Sequence, residues 1–142
     1  MAITQALCSS FKQELLEGIH NFSAVGGDTF KIALYSSTAN LSGATTVYTT
    51  VGETTGTGYT AGGKTLTNLG AFLSGTTSYT SFANAVWSSA SISTAGALIY
   101  NASKGNKAVT VLNFGGTYAN AGTDFTIVFP TNSPATAPII FN

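Results

Sequence analysis

The sequence predicts a mainly β protein, an antiparallel β-sandwich or barrel-like body with one N-terminal amphipathic α-helix. Up to residue 22 the apolar residues recur at steps of three and four, as on a helix. Beyond it they alternate or form short bursts among Thr, Ser and Gly, which is typical of strands. With 142 residues and 44% hydrophobic content, the chain suits a single domain over residues 1–142 with an ordinary core.

The helix is predicted over residues 4–19. Thr4 is a suitable N-cap, and Gly18 stands where a left-handed residue ends a helix. The apolar stripe consists of Leu7, Cys8, Phe11, Leu15, Ile19 and Phe22. The opposite, polar face consists of Lys12, Gln13, Glu14 and Glu17. We expect the stripe to pack on the sheet of the same chain, although a docking face for a partner has the same pattern.

The β body is predicted over residues 29–142. Phe30, Ile32 and Leu34 alternate with Thr29, Lys31, Ala33 and Tyr35, and this makes 29–37 its clearest strand. Residues 38–62 follow as a long Thr/Gly-rich segment with one weak strand, TTVYTTV, and this length suggests a functional loop or an extended arm. Tyr48 and Tyr59 lie in this segment and are candidates for an interface, where an aromatic ring with a polar tip is useful.

The remaining strands are predicted from short apolar runs bounded by turn residues. They are 64–69, 77–83, 85–92, 96–103, 107–115, 124–130 and 137–142. Lys104-Gly105-Asn106 predicts a tight hairpin, and residues 119–122 predict a turn before the strand that ends at Pro130. The runs ALIYN and VLNFG are predicted to lie in the middle of a sheet, buried on both faces, and Trp87 is predicted to anchor the core.

Charge is scarce, and this limits the functions that the chain can have. The sequence holds five Lys, no Arg, five acidic residues, one His and one Cys, and its net charge is zero. Nucleic-acid binding needs several cations on one surface, so no nucleic-acid partner is predicted. Lys104 and Lys107 are expected to be solvated charges beside the hairpin turn. A neutral surface of low charge favours association, which predicts a homo-oligomer.

One motif resembles a nucleotide site by its letters alone. Residues 58–65, GYTAGGKT, fit the phosphate-loop pattern G-x-x-x-x-G-K-[ST]. That chemistry requires a buried strand before the loop and a helix after it, whose N-terminus receives the phosphates. Here ETTGT precedes the motif and LTNLGAFLSGTT follows it, so neither element is predicted. The match is interpreted as accidental in a chain rich in Gly and Thr.

No catalytic, cofactor-binding or metal-binding residue is predicted. His20 follows the helix, where a protonated ring would favour the helix dipole, and Cys8 lies on the apolar stripe as a small hydrophobic residue. Three further acids, Asp28, Glu53 and Asp124, are scattered. One His and one Cys do not make a zinc site, and calcium binding by the sparse acids has no support. A Ser-His-Asp set assembled by the fold stays open, but no nucleophile elbow supports it.

The N-terminal residues lack the basic region and unbroken apolar core of a signal peptide, and no apolar run has the length of a membrane span. We therefore expect synthesis in the cytoplasm and no membrane partner. A single Cys cannot form an intramolecular disulfide.

The whole chain resembles a family of small virion proteins of tailed phages. The segments that carry the resemblance are MAITQALCSSFKQELLEGIHNF, DTFKIALYSS, GTGYTAGGKTLT, GALIYNASKGNKAVTVLNFG and DFTIVFP. The opening helix and GTGYTAGGKTL are its most specific parts. The resemblance implies a structural protein of the phage head or tail rather than an enzyme, and it implies no catalytic residues.

Two virion roles are compatible with this resemblance. The first is a capsid decoration (cement) protein in the virion, with the major capsid protein and copies of itself as partners. Its small size, sparse charge and long Thr/Gly segment favour this role, with residues 38–63 and the terminal IIFN as contacts. The alternative is a tail-tip, baseplate or fibre component that binds the host surface through exposed aromatic residues.

Overall fold

Two antiparallel β-sheets and one short helix form residues 2–142, which the computed structural model describes. The predicted fold class, a mainly β, sandwich-like body with an N-terminal helix, is confirmed. The helix α1 comprises Ser9–Leu16. The strands are β1 (Ala6–Leu7), β2 (Phe30–Tyr35), β3 (Lys64–Thr65), β4 (Asn68–Ser74), β5 (Thr77–Phe82), β6 (Ala85–Asn101), β7 (Lys107–Ile127) and β8 (Ile139–Phe141). The larger sheet has the order β1-β7-β6-β2-β3, and the smaller sheet has the order β4-β5-β8.

The hairpin of β6 and β7 is the longest element of the fold. The separate strands predicted at 85–92 and 96–103 are one strand, β6, and those predicted at 107–115 and 124–130 merge into β7. The turn predicted at 119–122 is therefore wrong. Ile92 pairs with Asn120 and Ala90 with Thr123, so the extra residue is absorbed as a bulge at the left-handed Gly122. The tight hairpin turn predicted at residues 104–106 is confirmed, with left-handed Gly105 and Asn106.

The core lies between the two sheets and under α1. Every residue of 95–101 in β6 is buried, as predicted for ALIYN, and Trp87 is buried as predicted. The prediction for VLNFG is wrong beyond Val111, because the neighbouring strand β1 has only two residues and leaves Asn113 exposed. Aromatic rings join helix and sheets: the Phe22 and Phe30 rings stack with centroids 4.3 Å apart, and Phe82 lies 5.9 Å from Phe30.

The helix is shorter than predicted. Residues 4–19 were predicted, but α1 begins at Ser9 because Ala6 and Leu7 pair with β7 as β1. Cys8, not Thr4, is the N-cap, and its side chain makes no capping hydrogen bond. The left-handed Gly18 just beyond the helix is confirmed, and Phe11 packs on the chain's own core as expected. Glu14, predicted on the solvent face, is buried.

The Thr/Gly-rich segment 38–62 is attached to the body and is not an extended arm. TTVYTTV forms no strand; Val47 makes one isolated bridge to Lys107. Ala39 and Leu41 are buried, and the Thr54 hydroxyl donates to the Ser93 carbonyl oxygen at 3.0 Å. The segment therefore runs along the larger sheet, where backbone and hydroxyl hydrogen bonds satisfy its polar groups.

The turn into β3 requires a glycine, and two glycines of equal φ allow a matched test. Gly63 and Gly26 both have φ +75°, but a Cβ at Gly63 would overlap the Ile32 carbonyl oxygen, whereas none of the described atoms lies within 4 Å of a Cβ at Gly26. We predict that Gly63→Ala lowers the free energy of unfolding by about 3 kcal/mol or more, and Gly26→Ala by about 1 kcal/mol. Urea unfolding measures both; equal losses would contradict this account of the turn.

Candidate functional site

The chain's single histidine is the centre of a buried polar cluster near the β6–β7 turn. His20 Nε2 lies 2.9 Å from Glu14 Oε2, and His20 Nδ1 lies 2.9 Å from Asn101 Nδ2. Asn101 also donates to Asp28 Oδ2 at 2.7 Å, while its Oδ1 accepts from the Ser103 N–H. The Asn101 amide nitrogen is thus a donor, so His20 Nδ1 accepts and Nε2 carries the proton that is donated to Glu14.

This cluster lies within the core of the fold. The His20 side chain has no solvent exposure, and its ring contacts Phe11 and Phe30. The cluster joins residues 14–28 to the β6–β7 turn. There Lys104 Nζ lies 3.9 Å from Asp28 Oδ1, and Lys107 Nζ lies 3.9 Å from Glu14 Oε2. Both lysine side chains are partly exposed. His20 therefore acts as a buried hydrogen-bonding residue, not as the helix-dipole partner considered from the sequence.

Cys8 is a buried thiol. Its exposure is nil, and burial, with the nearby Glu14 carboxylate as a second cause, raises its pKa to about 11. A nucleophilic or metal-binding cysteine needs its thiolate at neutral pH, which this environment disfavours. Cys8 is thus a core residue, as its position on the apolar stripe predicted.

A second polar cluster attaches the Thr/Gly-rich segment to the larger sheet. Glu53 accepts hydrogen bonds from the Tyr48 hydroxyl at 2.6 Å and from the Tyr59 hydroxyl and the Gly62 N–H, both at 2.7 Å. The Tyr59 oxygen in turn accepts from the Leu34 N–H of β2. Burial, then the hydrogen bond to Glu53, raises the pKa of both tyrosines above the usual value. Their hydroxyls are therefore used within the chain.

The segment that matches the phosphate-loop letters has a different structure from a nucleotide site. Lys64 and Thr65 form the short strand β3, and no helix follows them within the described residues. Gly63 lies against the backbone of Ile32, and the Lys64 ammonium lies 5.9 Å from the centre of the Trp87 ring. The backbone here forms a strand connection, not a cradle of amides.

Within residues 2–142, no three His, Cys, Asp or Glu side chains come together as a metal site would require. None of the described helices is long and apolar enough to cross a membrane.

Charge is distributed unevenly over the molecule. No charged side chain occurs between Lys64 and Lys104, and Lys107 and Asp124 are the charged residues beyond. The smaller sheet, β4-β5-β8, therefore contains no charged side chain at all; we call it the uncharged sheet. The buried clusters, by contrast, use Glu14, Asp28 and Glu53 within the fold.

The uncharged sheet exposes apolar side chains. Leu73 is 70% exposed and Phe72 43% exposed on β4, and Phe141 is 38% exposed on β8. The Phe72 ring stacks on Tyr79 of β5 with centroids 5.6 Å apart. The register places Phe72 and Tyr79 on one face of the sheet and Leu73 and Phe141 on the other. Neither face carries a charge, so a partner that covers either face removes no charged group from water.

The outer edge of β7 is covered over part of its length. Ala108 N donates to Thr46 O, Val109 O accepts from Cys8 N, and β1 pairs with residues 110–111. The side chain of Gln5 then accepts from Asn113 N at 3.1 Å. Beyond Asn113, no strand among the described residues pairs with this edge.

A groove lies beside this open edge. It has a volume of about 790 Å³ and is bounded by β1, β7 and residues 128–138. Its apolar lining includes Leu7, Leu112, Phe114, Tyr118, Phe125 and Ile127. Eleven residues of straight strand span about 36 Å, yet the Phe114 and Phe125 ring centroids are only 6.3 Å apart. The β6–β7 ribbon is thus strongly bent, and the lining residues contain no charged side chain.

Comparison of this chain with protein-family models, with curated proteins and with solved structures gave no match.

The features that make up this candidate surface were only partly visible in the sequence. The charge-free run 65–103 is a signal that sequence reasoning could have used to find the uncharged sheet. No such signal exists for the groove, because it depends on bulges in a Gly-rich part of β7 where the sequence predicts a turn. Sequence reasoning also missed that Glu14, Asp28 and His20 meet, because the residues are brought together by the turn after α1 and the hairpin.

We predict that Glu53→Gln lowers the free energy of unfolding by about 2 kcal/mol, because one acceptor oxygen of this half-buried side chain is replaced by a donor facing a hydroxyl or N–H. Glu17→Gln is the matched control, since Glu17 is exposed and accepts one bond from Gln13; its effect is expected within about 0.5 kcal/mol. Denaturant unfolding monitored by fluorescence measures both. A loss for Glu53→Gln no larger than the control's would show that the cluster does not stabilise the segment.

We also predict a loss of stability in alkaline solution. The Cys8 thiol has an ordinary pKa of 9.0 that folding raises to about 11, and folding raises the pKa of Tyr35, Tyr48 and Tyr59 above their ordinary 10.0. Above pH 9 the unfolded chain therefore binds fewer protons than the folded one, and the free energy of unfolding falls as pH rises.

Unfolding measured from pH 7 to pH 11 tests this, with Cys8→Ala as the comparison. We expect the wild type to be constant below about pH 8, and the variant to lose the first part of the decline while keeping the tyrosine part above pH 10. Superimposable profiles for the two proteins between pH 9 and pH 10 would contradict the assignment to Cys8.

Proposed function

We propose that this chain is a structural protein of a tailed-phage virion, and that it decorates the head by binding the major capsid protein. The observation that carries this proposal is the uncharged sheet, which exposes apolar side chains and has no charged side chain in β4, β5 or β8. The resemblance of the whole chain to small virion proteins supports it. The proposal assigns no catalytic role, since the histidine and the thiol are both buried.

The anchoring of the Thr/Gly-rich segment changes which residues we assign to the shell contact. Residues 38–63 are held on the body by Glu53 and by backbone hydrogen bonds, so they do not supply a free arm. The terminal strand β8 is an edge of the uncharged sheet and presents Phe141. We therefore assign the contact with the capsid protein to β8 and the adjoining face.

A rigid, uncharged contact suits a cement protein on physical grounds. Burial of apolar surface gives roughly 25 cal/mol for each Å² covered, without the desolvation cost that charged groups carry. A surface that is ordered before binding also loses little conformational entropy in the complex. Many identical contacts over a shell can then stabilise it.

A second virion role is favoured by one observation, the aromatic groove. Tyr118 is 54% exposed there, and the amide side chains of Gln5 and Asn113 line the same groove. Aromatic rings with neighbouring amides suit the stacking and hydrogen bonding of sugars. A tail-tip, baseplate or fibre component that binds a host glycan is therefore the alternative.

The number of copies per particle distinguishes the two roles. Quantitative mass spectrometry of purified virions of the encoding phage, relative to the major capsid protein, measures it. We expect a ratio near one or a simple fraction of one, as for decoration of an icosahedral lattice. A ratio of a few per cent would overturn decoration in favour of the tail, and absence from the particle would overturn both roles.

The assignment of β8 is tested with heads from a phage in which the gene for this chain is disrupted. We predict that Phe141→Lys binds these heads at least about tenfold more weakly than the wild type, because a buried cation must lose its hydration. Val51→Lys is the control, since Val51 is exposed and lies in the segment 38–62. Equal binding by both variants in a co-sedimentation assay would rule out β8 as the contact.

A further inference from the structure

Several strands among the described residues have an edge without a neighbouring strand, and they include β3, β4, β8 and β7 beyond Asn113. β3 has two residues, one of them Lys64, and β8 has three, so the two long open edges of this set are those of β4 and β7. β4 is the outer strand of the uncharged sheet, and its register is with β5 alone. The second is the outer edge of β7 beyond Asn113, beside the groove. An open edge presents a row of unpaired N–H and C=O groups to any extended chain that approaches it.

These edges also lack the residues that usually prevent association. β4, NLGAFLS, contains neither charge nor proline, and the open stretch of β7 contains Asp124 as its one charged residue. Soluble proteins commonly protect exposed edges with lysine, proline or inward charges. The bulges at Gly122 and near Phe114 bend the β7 edge, and its one charge, Asp124, accepts a hydrogen bond from Ser89 N–H.

The fold itself shows which kind of segment this edge of β7 accepts. Residues 3–7 run along it in extended form, with Ala6 opposite Val111 and Leu7 opposite Thr110. Asn113 extends this contact through its side-chain donation to the Ile3 carbonyl oxygen at 2.8 Å. The docked segment, ITQAL, is uncharged and largely apolar, and the open stretch continues from the point where it ends.

We propose that the open edge of β7 and its groove accept β4 of a second copy of this chain, so that copies join head to tail. β4 has the properties of the segment already docked there: it is extended, uncharged and apolar, and Leu73 projects from it into solvent. Neither β4 nor the groove lining holds a charged side chain, and the Asp124 carboxylate on the β7 edge accepts a hydrogen bond from Ser89 N–H of its own copy. One repeated contact covers both long open edges.

This contact deepens the proposed function and rests on it, since it specifies how copies on a particle touch one another. It uses two different surfaces of each copy, so an open chain of copies ends with one free β4 and one free groove. Such a contact closes into a ring, of which a reciprocal dimer is the smallest, or continues as an array.

Two single substitutions and their mixture test the head-to-tail geometry. Leu73→Lys places a cation on β4, and Tyr118→Lys places one in the groove; both wild-type side chains are largely exposed, so folding is expected to be retained. Val128→Lys is a second groove variant at an exposed lining residue, and Val51→Lys is the control outside both surfaces. Circular dichroism verifies the fold of each protein.

Sedimentation velocity over a range of concentrations gives the result. We expect the wild type and Val51→Lys to self-associate as the concentration rises, and each groove or β4 variant to associate about a hundredfold more weakly. A mixture of Leu73→Lys with Tyr118→Lys retains one intact β4 and one intact groove, and is therefore expected to form heterodimers and no larger species. Amide hydrogen exchange should slow in residues 71–73 and in β7 upon association.

Other outcomes would overturn the inference. A wild type that stays monomeric at all concentrations, or a mixture that behaves as its separate components, excludes the head-to-tail contact. Binding of a neutral glycan by the monomer, lost in Tyr118→Lys, would assign the groove to a sugar instead. The copy number in virions and the binding of Phe141→Lys to heads are independent of these results, so the proposed function can stand when this inference fails.

Discussion

The pairing of β6 with β7 is the interaction on which the rest of the structure depends. β2 attaches to one side of this hairpin and β1 to the other, and the Thr/Gly-rich segment follows both outer edges through Thr57 and Val47. The position of the smaller sheet is fixed by the two chain connections to this hairpin, one entering β6 at Ala85 and one leaving β7 at Ile127. The bends in this one ribbon therefore shape the groove as well as the core.

A chain with few ionisable groups uses several of them inside the fold. Glu53 receives two tyrosine hydroxyls and a backbone N–H, and Glu14, His20 and Asp28 form a second cluster with Asn101. Buried charges of this kind stabilise a structure only when hydrogen bonds satisfy them, as they do here. What remains for the surface of the smaller sheet is apolar and hydroxyl groups, and this surface suits contact with other proteins.

Local patterns in the sequence correctly predicted the elements whose structure depends on neighbouring residues in the chain. The alternation in 29–37 gave β2, and Gly105 with Asn106 gave the hairpin turn. Predictions failed where the structure of a segment depends on the strand that pairs with it. Ala6 and Leu7 fit the helical pattern but pair with β7. Residues 119–122 have the composition of a turn but form a bulge that pairs with β6. The groove and the buried meeting of Glu14 with His20 depend on contacts across the whole chain, which no local pattern contains.

The attachment of the N-terminal residues to β7 has a consequence for the order in which the molecule matures. Gln5 and Ile3 bond to Asn113, more than a hundred residues away in sequence, so these first residues leave the ribosome long before their partners exist. The groove is completed later still, because residues 128–138 form one of its walls. Folding dominated by such distant contacts is slow. A nascent chain consequently lacks the groove that joins copies in our proposal. It can accept β4 of another copy only after residues 128–138 have been synthesised.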